Sequence, residues 1–311
     1  MPQAEEVLLL APVPPELRAA LEVAGFALHA LADQPAGELP GWRIAVGTAM
    51  AGCDAATFAR LPDLRLLASM GTGLERIDLA AAHARGIAVA NTPDVVTEDT
   101  ADFGIALLYA VARGVVAGDR FIREGRWTKE RAAPSTRLHG KTLGVFGLGR
   151  IGGAVARRAA GIGMSVLWSG PRPKPDAPWE YVPALTALAE RSGALILCCP
   201  GGPATRGAVD AAVLHALGPA GFLVNIARGE VVDEDALITA LRDGTIRGAA
   251  TDVFHSEPTP DPRLLDLPNL VVTPHVAAVT RETRADIIAM IVGAVTAYRD
   301  GRPFHDATRA D

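Results

Sequence analysis

The segment from Lys141 to Gly153, KTLGVFGLGRIGG, constrains this chain more than any other, because an apolar run feeds directly into Gly147-x-Gly149-x-x-Gly152 and then into a helical pattern. Thr142 to Phe146 reads as a buried strand, while Val155-Ala156, Ala159-Ala160 and Ile162 give the next segment an apolar helical face. A strand that turns through spaced glycines into a helix is a dinucleotide-binding turn. Gly147 permits the tight turn, Gly149 lets the backbone approach a pyrophosphate, and Gly152 lets the helix pack on the sheet, with the helix N-terminus offering N–H groups to the anion. The whole stretch Gly147, Leu148, Gly149, Arg150, Ile151, Gly152 is therefore a candidate cofactor contact. In a chain with 32 glycines the bare pattern would say little; the second short apolar strand, Met164 to Trp168, supplies the context that gives it weight.

Strand and helix patterns alternate along the chain, which predicts an α/β protein with parallel sheets covered by helices on both faces. The first third offers strands at Val7 to Ala11, Phe26 to Ala30, Arg43 to Gly47, Arg65 to Ser69 and Ile87 to Ala90, none followed by the glycine pattern. From Thr142 a second alternation has strands at Thr142 to Phe146, Met164 to Trp168, Ala194 to Cys198, Phe222 to Asn225, Ala249 to Val253 and Leu270 to Val272. Long helical stretches, Glu98 to Gly118 and Thr280 to Tyr298, frame this second half. They predict a discontinuous substrate-binding domain, residues 1–97 plus 285–311, around a dinucleotide-binding domain, residues 98–284.

At 311 residues and a formal net charge of -5, the chain has ample core and no long-range pull on polyanions. Its basic residues form no stripe interleaved with aromatics, so nucleic-acid binding is not expected. Cys53, Cys198 and Cys199 lack metal-ligand spacing and read as small buried hydrophobes in a reducing compartment, with no metal expected. Glu5-Glu6 and a short VLLL do not make a signal peptide, and Phe103 to Ala112 is too short to span a bilayer. A cytoplasmic protein without membrane contact is the expectation.

Three polar features stand at or just beyond strand ends in the second half: Asn225-Ile-Ala-Arg228-Gly229, Asp252 to Pro258 with Glu257, and Thr273-Pro274-His275. Carboxyl ends of parallel strands face the ligand crevice, so the three can converge. Arg228 offers a planar fork to a carboxylate. His275 can protonate a carbonyl oxygen, and a carboxylate on its other nitrogen would fix the tautomer. Singly, Arg228 could bridge loops, Glu257 could be a solvated acid and His275 could cap a helix; together at successive strand ends they make a site.

With these pieces in place the sequence resembles the D-isomer-specific 2-hydroxyacid dehydrogenases. The resemblance is carried by Ser69-Met-Gly-Thr-Gly73 with Ile77-Asp78, Gly86 to Pro93, Glu98 to Asp102, Gly147 to Gly152, Asn225 to Gly229, Asp252 to Pro258, and Pro274-His275, in that order. It implies two doubly wound parallel-sheet domains, a Rossmann NAD(P)-binding domain and a flavodoxin-like substrate domain. It implies that His275 is the general acid/base, Glu257 its partner and Arg228 the anchor of the substrate carboxylate, with backbone N–H groups around Met70, Gly71 and Thr72 binding that carboxylate too. It assigns Asp252 to the nicotinamide carboxamide, and Cys199, Pro200 and Ile226 to the cofactor lining. A homodimer through the helices and the Arg120-to-Trp127 segment is also implied.

NAD-dependent members carry an acid at the end of the second strand, and here that place reads Leu167-Trp168-Ser169-Gly170-Pro171-Arg172-Pro173-Lys174. Ser169, Gly170 and Arg172, with Lys174 nearby, suit a 2′-phosphate that an aspartate would repel. NADP(H) is preferred on this reading, with NAD(H) possible. The run Asn91 to Asp102 looks most like the glyoxylate, hydroxypyruvate and hydroxyphenylpyruvate reductases, making a small 2-oxoacid or 2-hydroxyacid the expected partner. Two alternatives stand beside it: a non-enzymatic dinucleotide-sensing scaffold, and another dehydrogenase of the family using NAD, such as a formate or phosphite dehydrogenase.

Overall fold

Five short apolar runs, β1 (Glu5–Leu9), β2 (Phe26–Ala30), β3 (Ile44–Thr48), β4 (Leu66–Met70) and β5 (Ala88–Ala90), pair in the order β2-β1-β3-β4-β5 with every ladder parallel. This is the doubly wound order of flavodoxin-type sheets. Both faces are covered, which explains why the strands are apolar throughout rather than alternating. Val7 and Leu9 pack with Ile291 and Val295 of the helix Arg281–Arg299, while Leu8 packs on the other face with Phe58, Leu61 and Leu67. The computed structural model describes residues 5–309. It divides the chain into a unit formed by residues up to Val96 and from Thr280 on, and a unit spanning Thr97–Val279. The return to the first unit falls at Thr280 rather than residue 285. The Thr280 side chain accepts from Thr283 N at 2.9 Å and starts the helix, and Thr283 Oγ1 donates to Val95 O at 3.1 Å.

In the second unit β6 (Thr142–Phe146), β7 (Ser165–Ser169), β8 (Glu180–Tyr181), β9 (Ala194–Leu197), β10 (Phe222–Asn225), β11 (Gly248–Thr251) and β12 (Leu270–Val272) form a seven-stranded parallel sheet in the order β12-β11-β10-β9-β6-β7-β8. Strand order reverses between β6 and β9, so the ends of these strands diverge into a crevice, the usual ligand position in doubly wound sheets. The helix Thr97–Arg113 lies on this sheet beside Arg150–Gly161, and Gly104 lets it pack closely, since a Cβ there would stand 2.7 Å from Ile226 Cδ1 and push that side chain aside.

The continuous helix expected from Glu98 to Gly118 is broken. Gly114 adopts φ +62 and separates Thr97–Arg113 from Val115–Arg123, a left-handed stop that glycine alone takes without steric cost. The two pieces are bent by 57°. Among the described residues no single helix is long and apolar enough to cross a membrane. β8, two residues long, was not expected, being too short to carry any periodicity.

Candidate active site

The end of β6 is shaped by glycines with unequal jobs. Gly147 has φ +97, and a Cβ on it would lie 2.6 Å from Cys199 N, so the β6 turn and the Cys198-Cys199 segment after β9 approach backbone to backbone. A Cβ on Gly152 would sit 1.9 Å from Gly147 O, which fixes how closely the helix Arg150–Gly161 returns over the turn. Gly149 is the contrast: a Cβ there meets nothing within 4 Å, leaving open space above the turn. Gly149 also N-caps the helix without a side-chain acceptor. Open space over a twelve-residue helix whose first N–H groups have no side-chain cap suits a pyrophosphate, so the residues fit a dinucleotide.

At the end of β7 the structure redirects one expectation. Ser169 is buried and its hydroxyl donates inward to Pro183 O at 3.3 Å, so it is not presented to a phosphate. Its carbonyl accepts from Gly147 N at 2.8 Å and holds the turn against the strand. Arg172 is exposed, and Gly170 O accepts from the Tyr181 hydroxyl at 2.9 Å. The cation that meets the glycine turn is Lys174, whose Nζ donates to Leu148 O at 2.6 Å.

The chemistry-bearing residues follow at the ends of β10, β11 and β12, three neighbouring strands. After β10, the buried Asn225 side chain accepts from Ala227 N at 3.0 Å and donates to Arg228 O at 3.0 Å, folding the chain so that Arg228 stands at the strand end. Arg228 Nη1 donates to Ala227 O at 2.8 Å. Gly229 follows, and a Cβ there would overlap Phe254 C at 2.0 Å, so only glycine lets the Arg228 turn lie against the loop that carries Glu257. Glu230 ties in the Pro200 loop, accepting from Gly202 N at 2.6 Å and pairing with Arg206 at 2.8 Å. Cys199 and Ile226 are buried beneath these turns, and burial pushes the Cys199 thiol up to about 12 despite the opposing charge of Arg228.

Glu257 and His275 meet directly. Glu257 Oε2 lies 2.8 Å from His275 Nδ1, and Glu257 Oε1 accepts from Phe254 N at 3.0 Å. An anchored carboxylate on Nδ1 sets the tautomer and leaves Nε2 for proton exchange. The glutamate side chain is 15% exposed and the histidine 40%, so the acid is screened while the imidazole remains reachable. His275 itself has φ +55, a left-handed conformation that costs energy and must be imposed by its surroundings.

Asp252 imposes it. This residue is fully buried; Oδ1 accepts from Thr273 Oγ1 at 2.5 Å and Val276 N at 2.9 Å, and Oδ2 from Ala277 N at 2.8 Å. The carboxylate expected to meet a carboxamide holds both sides of His275 and is itself fully buried. Asn225 and Thr273 were read as parts of the strand-end features but without their partners, and Thr251, whose hydroxyl donates to Val253 O at 2.6 Å, escaped sequence reasoning, since a polar residue at a strand end names no partner.

In the first unit the loop after β4 is held from the end of β5. Gly71 N donates to Thr92 Oγ1 at 3.1 Å, Thr92 N to Gly71 O at 3.1 Å, and Thr72 Oγ1 to Thr92 O at 2.9 Å. Of the three residues expected to bind a carboxylate, Met70 ends β4, Thr72 turns its hydroxyl inward, and the Gly71 N–H has an internal acceptor that a carboxylate would share or displace.

Comparison with known proteins adds to this geometry. Residues 105–277 match the family model described as the D-isomer specific 2-hydroxyacid dehydrogenase, NAD binding domain. The chain is 42% identical over 260 residues to glyoxylate/hydroxypyruvate reductase A of Arabidopsis thaliana, covering 84% of this chain and 83% of that one. Among solved structures, the 2-hydroxyacid dehydrogenase from Ketogulonicigenium vulgare superposes with a TM-score of 0.91 at 38% identity, covering 98% of each chain. The NADPH-dependent glyoxylate/hydroxypyruvate reductase from Sinorhizobium meliloti, in complex with NADP and malonate, gives 0.86 at 36% identity over 95% of this chain and 94% of that one. A glycine turn shaped for a dinucleotide, a Glu257–His275 pair and an arginine at the next strand end stand on a chain so matched along its length: it belongs to the D-isomer specific 2-hydroxyacid dehydrogenases, enzymes that depend on a nicotinamide dinucleotide.

Proposed function

We propose that this chain reduces a small 2-oxoacid, of the glyoxylate, hydroxypyruvate or aryl pyruvate class, to the D-2-hydroxyacid, with NADPH preferred over NADH. The observation that carries the reading is His275 held through Nδ1 by Glu257 at 2.8 Å, which leaves Nε2 as a proton donor at the end of β12, two strands from the Arg228 turn at the end of β10. In the reducing direction His275 begins as imidazolium and gives its Nε2 proton to the carbonyl oxygen, while Glu257 remains a carboxylate and stabilises the cation it leans on. Arg228 grips the substrate carboxylate with its planar fork and draws charge toward it. The family resemblance also supports the backbone N–H groups of the Met70-to-Thr72 loop as donors to a 2-oxoacid carboxylate. A bound reduced nicotinamide supplies the hydride. The names of the relatives support the substrate class, and a panel of 2-oxoacids followed by NADPH absorbance tests it; no turnover of any 2-oxoacid would overturn it.

The preference for NADPH is supported by the absence of an acid at the end of β7 and by Lys174, whose ammonium rests on Leu148 O at the glycine turn. An acid there would bond a 2′-hydroxyl and repel a 2′-phosphate. A tenfold higher kcat/KM for NADH would overturn this preference, and Lys174→Ala is expected to lower the NADPH-to-NADH ratio by about 10- to 150-fold, the value of one charge-assisted contact. A homodimer is proposed through the helix Val115–Arg123 and the turn after it. Val115, Ile122 and Trp127 are 58%, 53% and 70% exposed there, more apolar surface than a solvated helix end needs. Light scattering at a monomer mass would remove that proposal.

A further inference from the structure

We propose that His305 and Asn91 are positioning residues for the Ser69–Thr72 loop, so that the segment following the last long helix buttresses the place where that loop meets the substrate carboxylate. The inference rests on the reading above that this loop binds the carboxylate of a 2-oxoacid.

β5 is the edge strand of its sheet, and the segment Phe304 to Arg309 lies along it. Two anchors fix that segment. Phe304 packs edge-on against Tyr298 with ring centres 6.3 Å apart. Asp306 Oδ1 accepts from Val89 N at 3.0 Å and from Thr308 N and Oγ1 at 3.0 and 2.8 Å, while Oδ2 pairs with Arg309 at 3.1 Å. His305 lies between the anchors, with Nε2 2.9 Å from Asn91 Oδ1. The buried Asn91 in turn donates from Nδ2 to Thr72 O at 2.9 Å.

The polarity of this relay is determined by its ends. Thr72 O can only accept, so the Asn91 amide must turn Nδ2 toward it, and Oδ1 then faces His305. The histidine therefore carries its proton on Nε2 and donates. A continuous path runs from the anchored segment through His305 and Asn91 to the carbonyl of Thr72.

The loop needs such support from outside. Gly71 has φ +114, and a Cβ on it would meet Ala49 Cβ at 2.9 Å, so glycine is required, and with Gly73 close by the loop has little stiffness of its own. Thr92 holds Gly71 and Thr72 from one side by three bonds, and Asn91 holds the Thr72 carbonyl. Remove the His305 donor and the Asn91 amide is free to rotate, releasing Thr72 O. Donors to a carboxylate work only within a few tenths of an ångström of their proper place. On this reading His305 and Asn91 act on the substrate through the loop.

The test uses the full chain with His305→Ala, His305→Leu and His305→Gln, since the glutamine amide can donate where the imidazole did. The Ala and Leu variants are expected to raise KM for the 2-oxoacid about 2- to 12-fold, the net worth of one hydrogen bond, with kcat and KM for NADPH unchanged within twofold. Hydrogen exchange in a peptide covering residues 69–73 should quicken in both. His305→Gln should restore KM and exchange. A lower Tm with KM unchanged would mean that the segment only covers the sheet edge, and the proposal would fall; it would fall equally if Gln behaved like Ala. A failure of the 2-oxoacid reading shows itself earlier, as a wild-type chain that turns over no 2-oxoacid.

Discussion

Asp252→Asn separates two roles for a residue that the family resemblance assigns to the nicotinamide and the structure assigns to the His275 loop. In the wild type one buried carboxylate accepts three bonds, from Thr273 Oγ1, Val276 N and Ala277 N, at 2.5, 2.9 and 2.8 Å. An asparagine has one acceptor oxygen. Its better orientation keeps Thr273 and Val276 as neutral bonds and turns an NH2 group toward Ala277 N, two donors facing each other without water. The lost charge-assisted bond is worth about 1.5–3 kcal/mol, and the two weakened ones add about 1 kcal/mol each. Removing a buried charge returns part of its desolvation cost, leaving a net loss of about 2–4 kcal/mol. For a unit of this size that is about 5–15 °C in Tm. The His275 loop then loses one of the three bonds that hold its left-handed backbone and keeps two weakened ones, and a misplacement of about 1 Å costs on the order of 10²-fold in kcat. The assays are differential scanning calorimetry, steady-state kinetics and dinucleotide titration by intrinsic fluorescence. Expected are a lower Tm, a kcat reduced about 10²-fold, and a dinucleotide Kd within about threefold of wild type. A Kd raised tenfold or more with Tm unchanged would refute the reasoning and return Asp252 to the cofactor.

Glu257→Gln replaces the carboxylate on His275 Nδ1 with a neutral amide, and kcat should fall about 10- to 150-fold, the worth of a charge-assisted bond, with KM for NADPH unchanged in steady-state assays. Gly149→Ala, with nothing within 4 Å of the new Cβ, should leave Tm intact while weakening dinucleotide Kd at least tenfold by occupying the space over the turn; Gly152→Ala, meeting Gly147 O at 1.9 Å, should instead lower stability by about 1–3 kcal/mol in urea denaturation. Burial pushes the thiols of Cys53 and Cys199 up to about 12 and Cys198 upward as well, so none should react with iodoacetamide at pH 7.5 until the chain is unfolded. Because these folded values lie above the unfolded thiol value, their contribution to stability is complete below about pH 8.5 and is lost as pH rises toward 12, which an alkaline denaturation series would show as a falling midpoint.

What could be read in the chain beforehand follows from how far each feature reaches. The glycine turn is local: strand, turn and helix lie within residues 141–162, and each glycine's duty follows from the motif. The trio Arg228, Glu257 and His275 was legible because parallel strands place their carboxyl ends together, so residues far apart in sequence share one edge by topology alone. Gly114 was also written in the sequence, yet the apolar periodicity on either side outweighed a single residue whose φ decides the break. Features defined by a distant partner were closed to such reading. Gly229 is required by the backbone of Phe254, Asn225 by its own loop, and Asn91 by His305, and no residue type announces such a pairing. Ser169 shows the limit most sharply. Its identity at a strand end suggested a hydroxyl offered to a phosphate, but in a sheet with helices on both faces the alternation of a strand names no wet side. The hydroxyl's direction was decided by the carbonyl of Pro183, on a loop fourteen residues on, and the cation that reaches the turn came from Lys174 instead.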